Sequence, residues 1–405
     1  MSSDAWVDRS VAVPAITAPS TVACLRSLGR RGIRTIVLAD DDGASATRSK
    51  YCDEVVRVPD PHDDLVAYKE ALRSVAMRPD VATIVPVRDV DVYVLSKYRS
   101  EFREHVRTPW PDLETLSAVQ DRVELFSVAD AAGVGAPDTG LLEDVEDWDR
   151  ERIAKARYAV LVDEYLEAYE PERFVDPPTT EYLRPGAEPD VDALRRRMGH
   201  EPLVQEFVPT TDEYGFFALY DRGEALATFQ HRQRRGYSYA GGASAFRESV
   251  RIPELERVGR ALLDELEWHG LAMVEFLRDD ETGAFQLMEV NPRFWSSLPF
   301  SVQAGADFPY YYWLLSTDAA DRIDHEYEAG IAGHLLRGEL LYLRSILVRD
   351  VELAPKPSFS SALAEIATSI AKHPRFDYAS LDDPRPFLAD MRHVFDEYKR
   401  HKKTQ

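Results

Sequence analysis

Glu275, Glu289 and Asn291 stand where two apolar strands would otherwise run uninterrupted, and this constrains the chain more than any other feature. The runs Leu271-Ala-Met-Val-Glu-Phe-Leu277 and Met288-Glu289-Val290-Asn291-Pro292-Arg293-Phe294 both read as short buried strands. Between them, Asp279-Asp-Glu-Thr-Gly283 has the length and chemistry of a hairpin loop, so Glu275 is expected opposite Glu289. Alternation along the strand puts Glu289 and Asn291 on one face and sends Met288 and Val290 into the core. Two carboxylates and an amide oxygen on a rigid hairpin repel and resist desolvation unless a cation sits among them. Hard oxygen donors suit Mg2+, which keeps several waters and completes its octahedron with substrate phosphates. The hairpin therefore predicts a metal-nucleotide site, with Arg293 facing the same phosphates. A surface hairpin with a merely polar outer face is the competing explanation.

The chain has 405 residues, enough for two or three domains with sizeable cores. Its formal net charge is -22, with positive charge carried overwhelmingly by arginine. Excess surface carboxylate keeps a protein solvated where salt screens charge, so a salt-rich cytoplasm, that of a halophile, is the expected setting, with a plain acidic mesophile protein as the alternative. The same field repels nucleic acid and anionic membrane, and neither is an expected partner. The first thirty residues carry no apolar core with a basic flank, and no later run approaches the length of a membrane span, so a cytoplasmic protein is expected. Cys24 and Cys52 are too few for a disulfide framework and read as ordinary thiols. The ten histidines are scattered without a His-Glu-x-x-His pair, which argues against a zinc enzyme.

Glu275 followed by Glu289-x-Asn291-x-Arg293 on the next strand resembles the metal-binding end of the ATP-grasp superfamily. The run Asn291-Pro-Arg-Phe-Trp295 and the later Ala304-Gly-Ala-Asp-Phe-Pro309 look most like its predicted carboxylate-amine ligase branch. That branch usually continues Trp-Gly-Ser-Leu, where this chain has Trp295-Ser296-Ser297-Leu298. The resemblance covers roughly residues 10 to 320. It implies that Glu275, Glu289 and Asn291 hold two Mg2+ ions, or Mn2+ in their place, bridging the phosphates of ATP. Arg293 would steady the transferred phosphoryl group or acyl phosphate.

The same resemblance implies further roles. Lys155, the sole lysine between Lys97 and Lys356, matches the strand lysine on the alpha- and beta-phosphates, with Arg157 as an alternative cation. Arg122, in the pair Asp121-Arg122, stands where the family has a lysine near phosphate, and an arginine there delivers a broad fork instead of a point charge. The apolar strand Pro202-Leu-Val-Gln-Glu-Phe-Val-Pro209 matches the hinge, where Gln205, Glu206, Phe207 and Val208 would hold the adenine. Glu213 is the candidate acid for the ribose. Arg232 and Arg235 match basic positions over the triphosphate and the incoming carboxylate, although salt bridges to local acids would also explain them.

Strand and helix alternate from Val11 to Val87, as in a doubly wound parallel sheet: strands near 11–16, 35–39 and 82–87, helices near 20–31 and 63–77. The first loop, Thr17-Ala-Pro-Ser20, lacks Gly-x-Gly-x-x-Gly, so no dinucleotide site is expected there; its helix N-terminus suits an anionic group, and a helix cap explains Ser20 equally well. The expected fold is α/β, with α+β character in the ATP-binding part. Residues 1–110 form a small leading domain and 111–320 an ATP-grasp domain with a mobile lid at about 140–208. Residues 321–405 form a helical extension, with amphipathic stretches near 331–348, 360–371 and 386–399, that covers the core or forms a homodimer interface. Gly236-Tyr-Ser-Tyr-Ala240 falls short of a nucleophile elbow, which excludes a serine hydrolase.

These features predict an ATP- and Mg2+-dependent ligase. It would activate a small-molecule carboxylate as an acyl phosphate and join it to an amine, releasing ADP and phosphate. A thiol or carbamate-type acceptor, a phosphotransferase without ligation, and an ATP-binding regulatory or assembly protein are the alternatives.

Overall fold

The computed structural model describes residues 9–41, 43–186, 188–210, 212–348 and 355–392. Its first sheet is parallel, with β1 (Ser10–Pro14), β2 (Arg34–Ala39), β3 (Glu54–Arg57) and β4 (Val81–Ile84) in the order β3-β2-β1-β4. A parallel sheet must be covered on both faces, and near-continuous apolar strands allow it. Val11, Val13 and Val37 pack with Val22 and Leu25 of α1 (Ser20–Gly29), while Ala12, Ile36 and Leu38 pack with Leu65, Tyr68 and Leu72 of α2 (Leu65–Ala76). α3 (Asp89–Lys97) leaves the carboxyl end of β4, a helix the sequence reading omits because Asp89-Val-Asp-Val alternates like a strand. The short β3, also unforeseen, has alternating exposure along only four residues.

After α4 (Arg99–Phe102), α5 (Leu113–Gln120) and α6 (Arg122–Ala131) comes a small antiparallel sheet. Its strands are β5 (Thr139–Leu141), β6 (Arg152–Lys155), β7 (Glu181–Leu183) and β8 (Leu203–Glu206), in the order β5-β8-β6-β7. α7 (Val191–Met198) closes over it, and Ala154, Leu194, Met198 and Val204 form its own small core.

The largest sheet has the order β13-β12-β9-β10-β11-β14 and is antiparallel throughout. Its members are β9 (Asp212–Asp221), β10 (Glu224–Ser238), β11 (Gly241–Ser249), β12 (Gly270–Arg278), β13 (Phe285–Asn291) and β14 (Ala332–His334). α8 (Pro253–Glu265), α9 (Leu298–Gln303) and α10 (Phe308–Ser316) pack around it. Both large apolar clusters run from the first sheet into this one: Ala12 shares a cluster with Phe216 and Val274, and Val13 shares one with Phe217 and Phe229.

The carboxy-terminal part corrects one expectation. The amphipathic stretch expected from 331 begins as β14, which pairs with the edge of β11, and helix α11 (Leu336–Val348) starts only at Leu336. The ring of His334 stacks on Phe246 with centroids 4.2 Å apart, which favours extended backbone there. α12 (Phe359–Lys372) agrees with the second stretch, and the third passes from residue 393 outside the described residues. Among the described residues no helix is long and apolar enough to cross a membrane.

Gly270 begins β12 at φ 101°, and a Cβ there would lie 2.6 Å from Pro109 O and 2.9 Å from Trp110 Cα. Both the backbone region and the contact exclude a side chain. Gly270→Ala should destabilise the protein by about 2 kcal/mol or more, measured by denaturant unfolding.

Candidate active site

Register across the large sheet builds the site. His231 pairs with Gly215, Gly215 with Glu275, and Glu275 with Glu289, so the four form one row on a single face. The row on one side carries Gln233, Glu213 and Leu277, and the row on the other carries Phe229, Phe217, Met273 and Asn291. Gly215 lets the Phe217 ring and His231 close in over the middle of this face, since a Cβ there would lie 2.4 Å from Phe217 Cζ and 3.3 Å from His231 Nε2. Above the face lies a cavity of about 890 Å3. Its other walls are Ile153 and Lys155 of β6, Ser20 and Asp89 at the carboxyl ends of β1 and β4, and Phe174 and Asp176 from the irregular segment between β6 and β7.

The expectation that Met288 points into the core is corrected here. Pairing shifts between Glu275–Glu289 and Phe276–Leu287, leaving Met288 as the extra residue of a β-bulge. The bulge breaks the alternation, so Met288 and Glu289 both line the cavity.

The expected hairpin acids and several cations meet in this row. Asn291 Nδ2 donates to Glu275 Oε1 at 3.1 Å and to Glu289 Oε1 at 3.2 Å, while Arg293 Nη2 donates to Asn291 Oδ1 at 3.0 Å. Arg293 is itself anchored by Nε on Asp89 Oδ2 at 2.8 Å. Arg122 donates to Ala156 O at 2.8 Å and to Glu289 Oε2 at 3.1 Å. Burial and the neighbouring Glu289 and Glu213 push the Glu275 carboxyl up to about 8. Burial pushes Glu289 up as well, but Arg122, Lys155 and the Asn291 amide more than offset it and leave it below its ordinary value. The pair thus holds one charge firmly and a second reluctantly, as two adjacent carboxylates must without a metal. Burial, with Arg122 beside it, lowers Lys155 to about 8 against the pull of the two glutamates. Burial raises Glu213 to about 7, and it accepts a 2.7 Å hydrogen bond from Gln233 Nε2.

The donor set fits a hard divalent cation. Among the described residues no three His, Cys, Asp or Glu side chains gather as a metal cage. Two carboxylates and an amide leave coordination positions for water and phosphate. The Asn291 amide now stitches the carboxylates through its nitrogen, and a half-turn of the amide exchanges nitrogen for oxygen.

Other expected site residues lie elsewhere. Gln205 is fully buried, donates to Thr139 Oγ1 at 2.8 Å, and accepts from Lys155 Nζ at 3.5 Å, so it touches the cavity only through that lysine. Glu206, Phe207 and Val208 line a separate pocket of about 410 Å3 with Asp279 and Gln286. The Glu206 and Phe207 amides are already engaged by Asp138 O at 2.8 Å and Glu151 O at 3.1 Å. Arg232 alternates with His231 and Gln233, so it leaves the cavity face and pairs with Asp212, Nε to Oδ1 at 2.6 Å. Arg235 lies beyond a register shift, donates to both Glu339 oxygens at 2.9 Å, and lines a pocket against α12. Arg157 likewise pairs with Asp121 at 2.6 Å.

The sequence reading misses Ile153, Asp89, His231, Gln233 and Ser244, all in the cavity wall. Only His231 and Gln233 carried a signal, the alternation of β10. Removing the cation from Glu289 by Arg122→Ala should cost about 2 kcal/mol at pH 7, less than for a fully enclosed pair, because 34% of the Glu289 side chain stays accessible. A carboxylate held below its ordinary value contributes stability at neutral pH that is lost as pH falls through its folded value. The wild-type and variant unfolding curves should therefore converge towards acid pH.

No family model matches the chain, and no curated protein sequence matches it. Solved structures do resemble it. One is the N5-carboxyaminoimidazole synthetase of Staphylococcus aureus complexed with ADP, at 13% identity and TM-score 0.58, covering 80% of each chain. Another is the L-amino acid ligase of Bacillus licheniformis, at 13% identity and TM-score 0.58, covering 80% of this chain and 78% of that one. A third is the biotin carboxylase domain of the 2-oxoglutarate carboxylase of Hydrogenobacter thermophilus, in complex with MgADP, ADP and bicarbonate. It matches at 16% identity and TM-score 0.57 over 79% and 71% of the two chains. At such identities the likeness is one of architecture: the chain has the ATP-grasp fold.

Proposed function

We propose that the protein is an ATP- and Mg2+-dependent ligase that activates a carboxylate as an acyl phosphate and joins it to an amine, releasing ADP and phosphate. The observation that carries this reading is the in-register row Glu275–Glu289, flanked by Asn291 and faced by Lys155, Arg122 and Arg293, on an ATP-grasp fold. Glu275, Glu289 and Asn291 would hold the metal, as two ions, with Mn2+ able to replace Mg2+. The bound metal supplies charge neutralisation for the phosphates.

The chain's own groups then divide the work. Lys155 contacts the phosphates of the bound nucleotide, and Gln205 holds that lysine in place. Arg293, tethered by Asp89, steadies the phosphoryl group in flight and the acyl phosphate that follows. Ile153, Leu277 and Met288 supply an apolar slot for the base, in place of the hinge expected at Glu206 to Val208. Glu213 meets the ribose. The nucleophilic amine attacks the acyl carbon, phosphate leaves, and no protein nucleophile is required. We place the nucleotide in residues 111–320 with a lid at about 140–208, and substrate contacts in residues 1–110. Multimolar salt is the proposed working medium.

Bicarbonate as the activated carboxylate is a second reading, favoured by the bicarbonate in the Hydrogenobacter thermophilus complex. Purified protein in multimolar KCl, given ATP, Mg2+ and pools of carboxylates and amines, should release ADP and phosphate only when the right pool is present. Bicarbonate alone as the carboxylate source would select the second reading, and AMP with pyrophosphate would refute both. Glu289→Gln should cut turnover by about a thousand-fold while leaving the unfolding curve within about 1 kcal/mol of wild type.

A further inference from the structure

The strand order β3-β2-β1-β4 reverses direction between β1 and β4, and in open α/β sheets ligands bind beyond the carboxyl ends at such a switch point. Here that crevice opens into the same cavity as the carboxylate row, between Ser20 at the start of α1 and Asp89 at the start of α3. The first turn of α1 has no side-chain cap and no acidic residue, so its amide dipoles are uncompensated. Ser20 is wholly buried, lines the cavity, and its hydroxyl has no hydrogen-bond partner. Ser244 of β11 repeats the pattern, 8% exposed, lining the cavity, its hydroxyl unpaired. Buried unpaired hydroxyls are costly unless a ligand completes them.

The start of α11 ties these two elements together. Leu335 N donates to Ala245 O at 2.8 Å, next to Ser244, and Arg337 Nη1 reaches Thr17 O at 3.4 Å in the loop before Ser20. Tyr378 Oη secures the same Thr17 carbonyl at 2.7 Å. Between this end and Glu275 stands His231, 3% exposed, with Nδ1 unpaired. Among the described residues the basic side chains lining the cavity near the crevice are already paired: Arg88 with Asp40 and Asp91, Arg293 with Asp89, and His62 with Asp60 and Asp176. Hydroxyls and one helix terminus suit a singly charged anion. A phosphate dianion would call for an uncommitted cation.

We infer that this crevice holds a carboxylate borne by the amine substrate, gripped by the amides of the first turn of α1 and the hydroxyls of Ser20 and Ser244, with the amine directed past His231 towards Arg293. The inference rests on the ligase reading and narrows it: the nucleophile is an amino acid or a longer amine ending in a carboxylate, not a simple amine or an amino phosphate.

Calorimetric titration of the full chain, saturated with ADP and Mg2+ in multimolar KCl, tests this. The probes are L-amino acids, glycine, β-alanine and 4-aminobutanoate, each with its carboxamide, and O-phosphoethanolamine and inorganic phosphate. At least one acid should bind, with its amide about ten-fold weaker or worse, the loss expected when a charge-assisted hydrogen bond goes. S20A and S244A should each weaken that acid by about ten-fold while keeping the wild-type unfolding midpoint. Equal binding of acid and amide, tighter binding of either phosphate probe, or no acid binding at all overturns the inference. The acid–amide comparison uses wild-type protein, so it decides even if a variant fails to fold. ADP and Mg2+ binding is measured beforehand: a protein that binds them but no acid loses this inference alone, and one that binds neither loses the ligase reading too.

Discussion

Two adjacent half-buried carboxylates set the electrostatic problem around which the molecule is arranged. Glu275 and Glu289 face each other across one strand pair, and each cation that tempers them comes from a different part of the chain. Arg122 stands at the start of α6 and is pinned by the Ala156 carbonyl, Lys155 ends β6 and leans on Gln205 of β8, and Arg293 follows β13 but is tethered to Asp89 beside the first sheet. The three sheets thus meet at a single balance of charge. Shifting any of them alters the field at the other two.

The balance is incomplete, and the proposed function draws on that. A carboxylate pair with one member pushed up to about 8 is a site that gains on receiving a divalent cation and gives up a proton in doing so. Lys155, lowered by burial, is likewise a group whose charge is favoured by an incoming polyanion. In the proposed function, metal and nucleotide would each ease the burial of what the other meets.

How much of this can be read from the sequence depends on how far apart the partners lie. The hairpin is legible because charge interrupts an apolar run within twenty residues, and the first strands and helices are legible by their periodicity. Arg235 is not, since its partner Glu339 lies 104 positions away, and Asp89 stands 204 positions from Arg293. Met288 is misread because a bulge is a property of the pairing and leaves no mark on either strand alone. Arg232 is carried off the cavity face by an alternation present in the sequence, whereas the family resemblance alone set it over the triphosphate.

β14 is the shortest strand of the large sheet, and among the described residues it pairs with β11 only through Phe246–His334, Arg247–Gly333 and Glu248–Ala332. Among the described residues its further edge is met by a single bridge from His334 to Phe376. Without these few residues β11 would present a row of bare amides and carbonyls, a template on which other chains could assemble. The carboxy-terminal extension therefore also acts as insulation, keeping a long, strongly paired sheet from growing beyond its own molecule.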